Sequence, residues 1–153
     1  MWFKYVIRVL TVVSALSAAV LSSRAEAQTC TIPAFPDVLF GTYDVYSAIN
    51  TDSASTVSWS CSNKGIVTVT LTKGSSTTYT PRTLLSGANT LGYNLYLDAA
   101  RTVIWGDGTG GSSFLTVPAN VTQGPTTIYA RIPAQQDAMV GTYADTITLV
   151  FTF

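Results

Sequence analysis

The chain has 153 residues, and its eight basic and eight acidic side chains give a formal net charge of zero at pH 7. Only 10% of the residues are charged, and histidine is absent. Without a basic patch the chain is not expected to bind nucleic acid, and without histidine it lacks the commonest general base and metal ligand. We therefore predict a protein that is not an enzyme and that needs no cofactor and no metal.

The N-terminal segment has the pattern of an export signal. Lys4 and Arg8 precede an apolar run, and a small-x-small cleavage site ends at Ala27. The alternative is a membrane anchor, but the apolar run of about 13 residues is shorter than the roughly 20 that span a bilayer. We predict a signal peptide over residues 1–27, cut after Ala27 or a few residues earlier. The mature domain, residues 28–153, would then have no membrane span.

The cysteines of the chain are Cys30 and Cys61. In an exported protein an isolated pair most simply forms one structural disulfide. A zinc site normally needs four cysteine or histidine ligands, and a redox motif needs its cysteines close together in sequence. We predict a Cys30–Cys61 disulfide. By the loop-closure model, this bond would stabilise the folded state by about 3–4 kcal/mol.

The mature region is predicted to form short strands separated by turns. Apolar residues alternate with serine around Trp59 and with threonine around Val69, which is the period of a half-buried strand. No segment has a helical period, and the pattern is typical of a single all-β sandwich. The predicted strand regions are 37–46, 57–61, 66–73, 91–97, 102–105, 114–117, 126–132 and 142–153.

The last predicted strand alternates apolar residues with threonine and alanine, and no further strand follows it in the sequence. A strand with such an apolar face needs a partner to cover it. We therefore expect the sandwich to receive its last strand from another chain. The residues predicted to line the receiving groove are Tyr143, Ile147, Leu149, Phe151 and Phe153.

Several aromatic residues lie in or beside turns rich in glycine and serine, namely Tyr79, Trp105 and Phe114. Exposed apolar residues on loops can form a contact surface, and they can equally cover the end of a sandwich. On the first interpretation, Trp105 and Phe114 belong to a surface-contact loop. The glycine run over residues 106–111 lacks the lysine of a phosphate-binding loop and opens no helix, so we interpret it as a strand connection.

A set of motifs follows in one order along almost the whole mature region. They are Cys30, Phe40-Gly41-Thr42-Tyr43, Cys61, Tyr93-Asn94-Leu95-Tyr96-Leu97-Asp98, Arg101, Trp105-Gly106-Asp107-Gly108, Tyr129-Ala130-Arg131-Ile132-Pro133, Gln135, and Gly141-Thr142-Tyr143-Ala144-Asp145. Together they resemble the spore coat protein U family, whose members include subunits of archaic (Csu-type) chaperone–usher pili. Residues 28–153 would form the family's pilin-like domain.

The resemblance implies an incomplete immunoglobulin-like sandwich that lacks its last strand and is completed by a donor strand. A periplasmic chaperone would lend that strand first, and another pilus subunit would replace it after transfer through an outer-membrane usher. The implied function is a secreted structural subunit that reaches the cell surface and serves attachment or biofilm formation.

One departure from the family pattern concerns the start of the predicted mature chain. Only Gln28 and Thr29 would precede Cys30, so the chain could accept a strand and would have none to give. This favours a position at a fibre end. The alternatives are a coat or extracellular-matrix protein of the same fold and, from another class, a secreted hydrolase.

Overall fold

A computed structural model describes residues 29–33, 37–62 and 64–152 of the protein. The predicted signal peptide, residues 1–27, and Phe153 lie outside these ranges. No helix within them is long and apolar enough to cross a membrane.

The strands are β1 (Cys30–Thr31), β2 (Thr51–Cys61), β3 (Val67–Leu71), β4 (Arg82–Ser86), β5 (Asn89–Tyr96), β6 (Leu115–Val117), β7 (Gln123–Ile132) and β8 (Leu149–Thr152).

The strands form two antiparallel sheets whose inner faces share one core. The larger sheet has the order β1-β2-β7-β5-β4, and the smaller has the order β6-β3-β8. The long ladder between β2 and β7 runs from the pair Thr51↔Ile132 to the pair Ser60↔Gln123. The all-β prediction is confirmed, and the arrangement agrees with an incomplete immunoglobulin-like sandwich. Its core includes Val57, Trp59, Val67, Val69, Leu71, Leu91, Tyr93, Leu95, Ile128, Ala130 and Ile132.

The predicted disulfide is present and joins the first two strands. Cys30 and Cys61 are direct partners in the β1–β2 ladder, and their Cα atoms are 4.0 Å apart. Because Cys61 ends β2, which pairs with the central strand β7, the bond ties the short first strand to the core.

Three predicted strand regions are absent or reduced to a fragment, and two strands, β1 and β4, were not predicted. Residues 102–105 form only isolated bridges, at Ile104 and Trp105. Residues 37–46 form no strand, although their burial alternates, because no neighbouring segment pairs with them. The strand predicted over 142–153 is regular only in β8. Strand β4 was missed because it begins with Arg82 and follows Pro81, both of which are unusual in a buried strand.

Arg82 is fully buried and links the two sheets. Its Nε donates to the carbonyl of Thr72 at 3.1 Å, and its guanidinium also donates to Asn94 Oδ1 at 2.9 Å and to the carbonyl of Trp105 at 2.6 Å. The guanidinium lies over the Tyr79 ring, 4.9 Å from its centroid. Burial lowers the pKa of Arg82, and hydrogen bonding to these acceptors offsets part of that cost.

Trp105 is fully buried between the sheets, so the prediction that it contacts a surface is wrong. Its indole Nε1 donates to the carbonyl of Val69 at 3.0 Å, which satisfies the buried N–H inside the core. Tyr79 is 3% exposed and donates its hydroxyl to the carbonyl of Leu71, so it also closes the sandwich. Phe114 is 45% exposed and remains a candidate for surface contact.

Candidate functional site: an open cleft beside an unpaired extended segment

A cleft of about 1240 Å³ opens between residues 37–46, the first wall, and residues 138–147, the second wall. Side chains of both walls pack against the core. The floor of the cleft is apolar and is supplied by both sheets, through Leu71, Leu84, Leu91, Tyr93, Leu95, Ile128 and Ile132.

The first wall is extended but belongs to no strand. Val38 and Phe40 pack against the core, whereas Leu39 between them is 76% exposed. Gly41 has a φ of +74°, which L-residues rarely adopt, and the inward alternation restarts after it at Tyr43. The wall therefore has the side-chain pattern of a strand without the main-chain partners of one.

Aromatic and polar contacts hold this wall against the sandwich. The Phe40 ring meets the Tyr93 ring edge-on, with 6.1 Å between their centroids. The Tyr43 hydroxyl donates to the carbonyl of Pro133 at 2.9 Å and accepts from the backbone N–H of Gln136 at 2.7 Å. Ser53 Oγ of β2 also donates to the carbonyl of Leu39 at 2.7 Å. Side chains thus fix the wall at three points, while its backbone has no ladder partner among the described residues.

The second wall crosses from one sheet to the other. Ala144 exchanges two backbone hydrogen bonds with Leu85 of β4, at 2.9 and 3.0 Å. Four residues later, the N–H of Thr72 donates to the carbonyl of Thr148, and the chain continues into β8 beside β3. Strand β8 pairs with β3 alone among the described strands, so its other edge is open.

Asp145 anchors the second wall to the floor and to a turn. Its carboxylate accepts from the Tyr93 hydroxyl at 2.6 Å, from the N–H of Ser75 at 2.8 Å and from the N–H of Thr146 at 2.8 Å. Burial, reinforced by this carboxylate, raises the pKa of the Tyr93 hydroxyl. The tyrosine therefore stays protonated and keeps donating to Asp145 throughout the physiological pH range.

The residues predicted to line a groove are divided between the cleft and the edge strand. Tyr143 and Ile147 line the cleft. Leu149 and Phe151 lie in β8, where they are half-buried against the core and pair with Leu71 and Val69 of β3. Phe153 lies outside the described residues. A groove role for all five stays a prediction.

Sequence reasoning missed several residues of the cleft. Leu39, Met139 and Val140 line it and are strongly exposed, at 76%, 67% and 105%. Met139 and Val140 are consecutive apolar residues outside any predicted strand, and this pair was the signal that the sequence offered. The first wall was predicted as a strand, and its role as a wall could not be seen without the tertiary structure.

The cleft is suited to binding an extended peptide. Within the described ranges, no three histidine, cysteine, aspartate or glutamate residues come together as a metal site would require. The cleft instead offers an apolar floor and an extended segment without ladder partners, and its second wall leads into β8, whose outer edge is open. These are the elements of β-strand addition, in which backbone hydrogen bonds give affinity and alternate side chains enter apolar pockets.

Comparison with known proteins identifies the family. The sequence profile of the Spore Coat Protein U domain matches residues 16–150. The chain belongs to the spore coat protein U domain family. This family member is also 36% identical to Protein U of Myxococcus xanthus over 128 residues, which are 74% of this chain and 70% of that protein.

A solved structure shares the fold of this family member. It is the crystal structure of the CsuC–CsuE chaperone–tip adhesion subunit pre-assembly complex from archaic chaperone–usher Csu pili of Acinetobacter baumannii. The TM-score is 0.60 at 25% sequence identity, over 83% of this chain and 40% of the matched chain. The family member therefore spans less than half the length of that structural relative.

Proposed function

We propose that the protein is an exported structural subunit of an archaic chaperone–usher type of pilus, and that its cleft receives a β-strand from a partner. The observation that carries this proposal is the open cleft between residues 37–46, which are extended but unpaired, and residues 138–147, which lead into the edge strand β8. An inserted strand would hydrogen-bond to the first wall and to β8 and would place alternate side chains on the apolar floor. The smaller sheet would then continue from β8 through the inserted strand to residues 37–46.

The energetics of such an insertion suit an obligatory partner. Four or five apolar side chains entering the cleft, at about 1.5–3 kcal/mol each, contribute on the order of 10 kcal/mol. A whole domain of this size is typically stable by about 5–15 kcal/mol. The chain without its partner strand would therefore be marginally stable, and its open strand edge would favour aggregation.

The proposed partners follow from the same reasoning. A periplasmic chaperone fills the cleft first, which the likeness to a subunit in a chaperone complex supports. Another pilus subunit then replaces the chaperone after passage through an outer-membrane usher. The predicted signal peptide and the disulfide support export through an oxidising compartment. The finished assembly lies at the cell surface, serves attachment or biofilm formation, and performs no catalysis.

A coat or extracellular-matrix protein of the same fold is the second candidate function. The family's description as a spore coat domain and the identity to Protein U favour it. The two candidates differ in whether the chain depends on a dedicated chaperone and usher.

The test is co-expression with a periplasmic chaperone of the archaic type, comparing two neighbouring substitutions. Ile147 lines the cleft, whereas Thr148 is exposed and lies outside the lining. Ile147→Asp should abolish co-purification with the chaperone, and Thr148→Asp should preserve it. A wild-type chain that is monomeric and cooperatively folded alone, and that binds neither the chaperone nor a strand peptide, would overturn the proposal.

A further inference from the structure

The charges around the cleft have one sign. Asp37, Asp44 and Asp145 line it, and the lining contains no lysine or arginine. Asp37 and Asp44 are both exposed and lie on the first wall, near its two ends. A cleft with low-dielectric walls and charges of one sign concentrates ions of the opposite sign.

Four of the basic side chains interact with groups outside the cleft lining. Arg82 is buried with carbonyl and amide acceptors, and Arg101 and Arg131 both pair with Asp52, at 3.3 and 2.7 Å. Lys73 Nζ lies 5.3 Å from the centroid of the Tyr79 ring. None of these four side chains lines the cleft, so they leave the carboxylates of the first wall without a basic neighbour in the lining.

The three aspartates of the lining are not equivalent. Asp145 already accepts three hydrogen bonds from neutral donors, which hold it toward the floor and the turn at Ser75. Asp44 uses Oδ1 to accept the N–H of Tyr46 at 2.9 Å, in a turn on the surface. Asp37 and Asp44 are therefore the carboxylates that an incoming chain would meet at the rim.

We propose that the cleft selects a cationic strand, whose alternate apolar residues cover the floor and whose lysine or arginine residues flank that apolar stretch at both ends. Asp37 and Asp44 are seven positions apart, which is at most about 23 Å of extended chain at roughly 3.3 Å per residue. The two basic residues of the partner strand should have a comparable spacing. This inference rests on the proposed function and adds the chemical class of the partner strand.

The selection is expected to be moderate and sensitive to salt. Ion pairs at exposed positions are individually weak, so two of them should favour a strand with lysine ends over a neutral strand by about fivefold. A strand with glutamate ends should bind more weakly than the neutral one because like charges meet at the rim. In 1 M salt the Debye length falls to about 3 Å, and the three strands should bind alike.

The experiment uses the mature protein and three peptides that share one alternating valine–threonine core and differ in their two end residues, which are lysine, glutamine or glutamate. Binding is measured by fluorescence anisotropy at low salt and in 1 M salt. We expect the order lysine, glutamine, glutamate at low salt. In the Asp37→Asn/Asp44→Asn variant the order should disappear, because the lysine peptide loses its advantage over the glutamine peptide. Asp107→Asn, at an exposed aspartate outside the lining, should keep the order.

The outcomes separate charge selection from strand binding. Equal binding of the three peptides at low salt would overturn charge selection and leave strand binding in place. Binding of none would overturn both proposals. A preference that persists in the double variant would overturn the assignment to Asp37 and Asp44. A second copy of the chain is the remaining possible occupant of the cleft, and sedimentation without peptide tests for it. Self-association that the lysine peptide does not reverse would show that a second copy fills the cleft.

Discussion

The side-chain amide of Gln136 pairs with both backbone groups of Gly92. Its Oε1 accepts the N–H of Gly92 at 2.8 Å, and its Nε2 donates to the carbonyl of Gly92 at 2.8 Å. Strand β7 ends at Ile132, and Pro133 follows without an N–H to continue the ladder with β5. The amide takes the place of the missing ladder residue, and the backbone N–H of Gln136 also holds Tyr43 of the first wall.

Gln136→Ala should lower the free energy of unfolding by about 1–3 kcal/mol, since it leaves the polar groups of Gly92 without a partner. Gln135→Ala, at the neighbouring exposed glutamine, should change it by less than about 0.5 kcal/mol. Urea denaturation measures both. A Cβ on Gly92 would lie 2.8 Å from Gln136 Oε1, so Gly92→Ala should cost less in the Gln136→Ala background than in the wild type. Additive effects of the two substitutions would contradict a direct contact.

Arg82→Met should destabilise the protein by at least about 3 kcal/mol. The methionine keeps much of the side-chain volume but leaves the acceptors at Thr72, Asn94 and Trp105 without donors, and each loss costs about 1–3 kcal/mol. Arg131→Met is the matched control. It removes a partly exposed ion pair with Asp52, worth about 0–1 kcal/mol. Similar losses for the two variants in thermal or urea unfolding would show that burial of Arg82 does not matter.

Trp105→Ala and Phe114→Ala should differ in their loss of stability, because Trp105 is in the core and Phe114 is on the surface. The sequence had made both residues candidates for surface contact. Emptying the fully buried Trp105 site should cost about 3–5 kcal/mol. Phe114→Ala should cost less than about 1 kcal/mol because nearly half of that side chain is already in water. Equilibrium unfolding gives both values. If Phe114 serves surface contact, its variant should adhere less to abiotic or cellular surfaces while folding normally.

Asp52 should make part of the stability dependent on acid pH. The hydrogen bond from Arg131 holds the pKa of the Asp52 carboxyl below its ordinary value. Its contribution is therefore complete above the unfolded pKa of about 3.9 and is lost as the pH falls through the lower folded value. Because the Asp52 side chain is 34% exposed, solvent limits the effect to about 1 kcal/mol.

Asp52→Asn should accordingly flatten the stability profile between about pH 5 and pH 2. Asp44→Asn is the control, since Asp44 forms no ion pair within the part of the chain that the structure describes. Urea midpoints across this pH range give the profile. If Asp52→Asn loses stability at acid pH as the wild type does, other carboxylates control that loss.

Local alternation predicted most of the strands that have partners inside the chain, although β1 and β4 were missed. The strands around Trp59 and Val69 could be predicted because they depend on short-range periodicity. The disulfide of Cys30 could be predicted because it depends on composition. The first wall at 37–46 has the same alternation and no strand, because pairing depends on a neighbour that the sequence does not supply locally.

The remaining differences have tertiary causes. Trp105 is next to glycines, which indicate a loop. It is nevertheless buried against β3, where its indole N–H donates to the carbonyl of Val69. Gln135 belonged to the motif that carried the family resemblance, but the contact to Gly92 is made by Gln136. The cleft itself arises from the distance between two segments far apart in sequence, which no local pattern encodes.

The packing of Trp59 against Phe151 has a spectroscopic consequence. The two ring centroids are 6.4 Å apart, and the Trp59 indole Nε1 donates to Thr126 Oγ1 at 3.0 Å. Phe151 belongs to β8, the strand that follows the second wall of the cleft, whereas Trp105 is fully buried and donates to the carbonyl of Val69 in β3. The intrinsic emission of Trp59 is therefore a native reporter of β8, and it allows strand capture to be followed in real time without any attached dye.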